Sequence, residues 1–136
     1  MNKPRQPATV LAFVTLLTGL VMLPASAFSQ RLTSAELVLL PDYCSARMEG
    51  HNSAAYQSWS QRFGESNFLH IHHYCFGLNQ LNRAKMEFEP HKQTSALNRA
   101  IREFDYVLKR WPKTFALTPT AMMYKAHAET KLIMVP

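Results

Sequence analysis

The chain has 136 residues, 15 Lys and Arg against 9 Asp and Glu, and a formal charge of +6 with histidine neutral. That length is enough for one small domain with one core. The basic residues alternate with acids rather than clustering beside aromatics, so nucleic acid is not an expected partner.

Lys3 and Arg5 precede an apolar run over residues 8–23, which Pro24 breaks just before Ala25-Ser26-Ala27. A positive n-region, an apolar h-region and small residues at the end form the secretory signal pattern. At about 16 residues the run falls short of the roughly 20 that a spanning helix needs. The expected organisation is therefore a signal peptide at 1–27 and a single domain at 28–136. No stable membrane span is expected after cleavage, and the expected location is the periplasm or the medium.

Beyond the signal, Ser34 precedes a short apolar stretch that Pro41 stops, and Pro41-Asp42 turns into a short helix ended by Gly50. Tyr56, Trp59 and Phe63 fall at i, i+3 and i+7, on one side of a helix. Residues 64–67 read as a break. The strongest helical signal covers 68–88, where Leu69, Ile71, Tyr74, Cys75, Leu78 and Leu81 form a core-facing stripe. Pro90 and the polar residues up to Thr94 read as a connection. A second long helix is expected over 95–110, ended by Trp111-Pro112 because proline disfavours helical geometry in the residue before it. A third follows Pro119 through Tyr124, Ala128 and Leu132. No alternating strand pattern flanked by hairpin turns occurs, so the fold class is all-α.

Ala100-x3-Phe104, Val107 and Pro112 stand at the spacing of the second helix of a tetratricopeptide repeat, and Phe76-Gly77 matches the hydrophobic–small pair of its first helix. Residues 68–132 thus resemble a degenerate repeat of that family and part of another. The chain departs from the pattern in two ways. The segment from Gly77 to Ala100 is about eleven residues longer than the 34-residue repeat allows, and His73 stands at the first-helix tryptophan position. The resemblance implies a helical hairpin that binds partners on a concave surface, with no catalysis. On that hairpin the expected partner-facing residues are His73, Phe76, Gln80 and Arg83.

Cys44 and Cys75 are the two cysteines, and in an oxidising compartment such a pair reads first as a disulfide. Closing a loop of about 30 residues contributes roughly 3–4 kcal/mol in the chain-entropy model. His70, His72 and His73 form the one site-like cluster. Imidazoles suit Zn and Cu, and a further ligand would come from His51, His91, His127 or Glu49. The competing expectation needs no cofactor: His70 or His73 is buried against the disulfide and hydrogen-bonded, with His72 exposed. Neither a metalloprotease nor a haem-attachment motif is present. Glycine is scarce, which argues against a phosphate-cradling loop, and a cystine would remove Cys75 as a nucleophile. The expected function is a non-enzymatic scaffold for a protein or peptide partner, or an accessory subunit of an envelope assembly. The alternative is a periplasmic metal-binding protein using His70, His72 and His73.

Overall fold

A computed structural model of the chain describes residues 31–136; the signal segment expected at 1–27 lies outside them. Thr33 starts α1 (Ser34–Val38) with a capping box: its hydroxyl accepts from the Glu36 amide, while the Glu36 carboxylate accepts from the Thr33 amide. Three further short helices follow: α2 (Asp42–Glu49), α3 (Ala54–Phe63) and α4 (Glu65–Leu69). Gly50 ends α2 at φ 93° and Gly64 ends α3 at φ 80°, left-handed conformations that a side chain would strain. The longer helices are α5 (Ile71–Met86), α6 (Pro90–Leu108) and α7 (Thr118–Ile133). All seven elements among the described residues are helices, so the fold is all-α.

The long helices pack as neighbours running in alternating directions. Between α5 and α6, His73 meets Glu103 near one end, and the Gln93 amide donates to the Ala84 carbonyl near the other. Between α6 and α7, Phe104 stacks on Tyr124, and earlier on α6 Leu97 lines a hollow with Lys131 near the end of α7. Ala100, Phe104, Val107, Ala121 and Ala128 are fully buried along these seams. Their small side chains let the helices approach while the aromatic fills the space between them.

The short helices cover α5. Cys44 of α2 is bonded to Cys75 of α5, with Cα atoms 5.7 Å apart, as the cysteine count led one to expect. Around this bond Tyr43, Trp59, Phe63, Phe68 and Tyr74 form a run of edge-to-face and tilted ring contacts. Phe115, in the α6–α7 connection, joins it through Phe63. Both halves therefore share one hydrophobic core.

Three boundaries differ from the sequence expectation, each for a physical reason. The helix expected over 68–88 is broken at His70, where carbonyls turn to side chains. The Asn67 carbonyl accepts from the Trp111 indole at 3.0 Å, and the Leu69 carbonyl accepts from Arg47 and from His72 Nδ1. Helix α6 begins at Pro90 rather than Ser95, because a first-turn proline has no intrahelical donor to lose. The break expected over 64–67 is confined to Gly64, with α4 starting at the next residue.

Candidate functional site

His70, at the start of α5, and His72 and His73 in its first turn lie beside Glu103 and Tyr106 of α6 and Arg110 just beyond it. His73 Nδ1 is 2.6 Å from the Glu103 carboxylate, and its ring stacks on Tyr106 with centroids 3.5 Å apart. The Arg110 guanidinium lies 3.6 Å from the same Tyr106 ring, a cation–π distance. The Tyr106 hydroxyl is 3.4 Å from His70 Nδ1.

Each imidazole is thus turned to its own partner: His70 to Tyr106, His72 to the Leu69 carbonyl and His73 to Glu103. Burial, reinforced by His73 and Arg47, pushes the His72 pKa down to about 4. His72 is half-buried like His70 and His73, not the exposed member of the three, and its lowered pKa leaves it neutral near pH 7. Burial and the nearby Arg110 lower His70 as well. Among the described residues no group of three or more His, Cys, Asp or Glu is placed to hold a metal ion. His51 and His91 are engaged elsewhere, His51 against the Tyr56 ring and His91 beside Glu89. The Cys75 sulfur is spent in the disulfide and supplies no thiolate.

The residues expected to face a partner, His73, Phe76, Gln80 and Arg83, do share one stretch of α5, but most are engaged within the fold. His73 is taken by Glu103, and Gln80 is buried with 5% of its surface exposed. Arg83 donates to Glu36 of α1 through Nε at 2.7 Å and Nη2 at 2.6 Å. Asn79 adds a 3.0 Å bond to the same carboxylate oxygen, so α1 straps across this part of α5. Phe76 is partly exposed, its ring near His72 and His73.

An open groove lies further around α5, toward α7. At 3.6 residues per turn Lys85 stands about 120° around the helix from His73. One lobe, about 360 Å³, is bounded by Leu81 and Lys85 of α5, Leu97 of α6, and Lys131 with Met134 at the end of α7. A second lobe, about 320 Å³, lies beside Leu39, Leu40, Leu78 and Tyr124 and shares Leu81 and Lys85 with the first. Sequence reasoning missed this groove. Its only local signals are Leu78, Leu81 and Lys85 at helical spacing on α5, and His127 with Lys131 at i, i+4 on α7.

The groove can bind by apolar contact and by attraction of negative charge. Leu81, Ala84 and Leu97 are buried in its lining beside the polar Gln93 and Asn82, the exposed Lys85, His127 and Lys131 carry its positive charge, and no Asp or Glu lines either lobe. No helix among the described residues is long and apolar enough to cross a membrane. No family model matches the chain, and no curated protein or solved structure matches it either.

Proposed function

We propose that the chain is an exported, non-enzymatic helical scaffold of tetratricopeptide-like build, which binds a protein or peptide partner in the cell envelope. The observation that carries this reading is the open groove between α5 and α7, whose lining includes Leu39 and Met134 with 61% and 69% of their surface exposed. Apolar side chains at a concave surface bind by losing water to a partner. The Gly77–Phe104 contact supports the repeat-like build, since a residue without Cβ on the first helix admits an aromatic from the second. The Cys44–Cys75 bond supports an oxidising compartment, where such bonds persist.

The test is site-specific photo-cross-linking in the producing cell, with the photoreactive residue at Asn82 or Met134 in the groove. His91 and Arg102, both exposed and neither in the groove lining, serve as controls. A discrete covalent adduct from the groove positions alone is the expected result. Equal labelling from all four positions, or none from the groove, would overturn the reading. Native mass spectrometry of the same preparation addresses the metal alternative. A stoichiometric Zn or Cu adduct that disappears in His70→Ala/His73→Ala would replace a partner-binding scaffold with a metal-binding protein.

A further inference from the structure

The basic side chains of α7 are treated differently on its two sides. Lys125, toward α6, is held by Asp105 at 2.8 Å and by Glu129 at 3.4 Å. Lys131 and, across the groove, Lys85 have no carboxylate partner among the described residues. Both line the larger lobe together with His127. This part of the fold thus presents two ammonium groups beside the buried Leu81, Ala84 and Leu97, with no Asp or Glu in the lining. Lys85 also belongs to the smaller lobe, so a positive charge stands where the two apolar depressions meet. From Leu78 to Lys85 the α5 axis advances about 10 Å, which three or four residues of extended chain would span.

We propose that the α5/α7 groove takes an extended segment of a partner protein in which an acidic residue stands between two apolar ones. The carboxylate meets Lys85 and Lys131, and the flanking apolar side chains enter the two lobes. This rests on the reading of the chain as a partner-binding scaffold and adds the chemistry of the bound segment. Charge complementarity selects an acidic occupant: a basic segment would bring like charges together, and a purely apolar one would gain nothing from the two ammonium groups. The lobes select an extended chain, because a compact ligand would fill one and leave the other wet.

The experiment is selection from a random nonapeptide library displayed on phage. The bait is the disulfide-bonded chain purified from an oxidising compartment, as wild type, Lys85→Glu/Lys131→Glu and Lys85→Gln/Lys131→Gln. Both lysines are exposed, and circular dichroism with the intact disulfide mass verifies each fold. Wild type is expected to enrich peptides with Asp or Glu flanked by Leu, Ile, Val, Met or Phe within four positions. The charge-reversed variant is expected to enrich Lys or Arg at the same place, and the Gln variant to bind the wild-type peptides about tenfold more weakly. Enriched peptides without an acid, or indifferent to both variants, would overturn the groove chemistry while leaving a peptide-binding scaffold in place. Selection of no peptide also overturns it; the cross-linking at Asn82 and Met134 then decides the scaffold reading separately.

Discussion

Gly77 and Phe104 approach so closely that a Cβ placed on Gly77 would fall 2.7 Å from Cε1 and 2.8 Å from Cζ of the Phe104 ring. The ring has no room to retreat, being fully buried between Tyr74 and Tyr124 at centroid distances of 5.9 and 6.0 Å. Alanine would raise helix propensity by up to about 1 kcal/mol, but overpacking a tight core costs about 1–3 kcal/mol. Gly77→Ala should therefore destabilise the protein in urea unfolding, by up to about 2 kcal/mol once the propensity gain is set against the overpacking. On a Phe104→Leu background the same change should be neutral or stabilising; an unchanged penalty there would place its origin outside this contact.

The half-buried His72 sets the first pH dependence. Its folded pKa of about 4 lies below the ordinary value of 6.5, so between those values the unfolded chain binds more protons than the folded one. Stability should fall as pH drops from about 6.5 toward 4, and the lowered His70 acts in the same direction. His72→Asn should flatten that slope in urea midpoints measured across the interval. A slope identical to wild type would rule His72 out as its source.

Glu36 governs a lower window. The Arg83 guanidinium, with help from Thr33 and Asn79, holds its carboxyl at about 2 instead of 4.5. A depressed carboxylate stabilises the fold above its unfolded pKa, so this contribution is complete above about 4.5 and is lost as pH falls toward 2. Glu36→Gln should cost about 1 kcal/mol at pH 7, the range of a charged pair still reached by water. The loss should shrink steadily below pH 4.5 and be mostly gone near pH 2. Hydrogen exchange at the Thr33–Val38 amides should quicken, since Glu36 is also what pins α1.

Replacing Cys44 and Cys75 by alanine should lower stability by about 3–4 kcal/mol. Dithiothreitol should reproduce that loss in wild type and leave the double variant unchanged. A double variant as stable as wild type would show that ring packing around Tyr43 and Phe68, not the bond, holds the short helices on α5.

The all-helical fold was legible because the spacing of Leu78, Leu81, Ala100, Phe104, Tyr124 and Ala128 is local information. The cystine was legible because two cysteines leave one intramolecular pairing. Other features depend on contacts that spacing does not encode. The break at His70 requires Trp111 to reach the Asn67 carbonyl 44 positions away, and Arg47 to reach that of Leu69. Spacing placed His73, Phe76, Gln80 and Arg83 on one stretch of α5, but not which neighbour covers it. Glu36, 47 positions upstream, answers for Arg83, and Glu103 answers for His73. The groove escaped for the same reason, being assembled from Leu39, Lys85 and Lys131 on separate elements.

The Cys44–Cys75 bond also imposes an order of events on a chain made from its N-terminus. The two residues are 31 positions apart, and Cys75 sits in the second turn of the first long helix. When Cys44 first emerges its partner is still to come, so it waits as a thiol on a helix of eight residues, too short to hold its shape unaided. Premature trapping of that thiol, by a small-molecule disulfide or a second chain, would leave the α1–α4 cover unfastened while α5, α6 and α7 still had local contacts enough to associate. Until Cys75 follows it, Cys44 is thus the one half of the bond that is open to such capture.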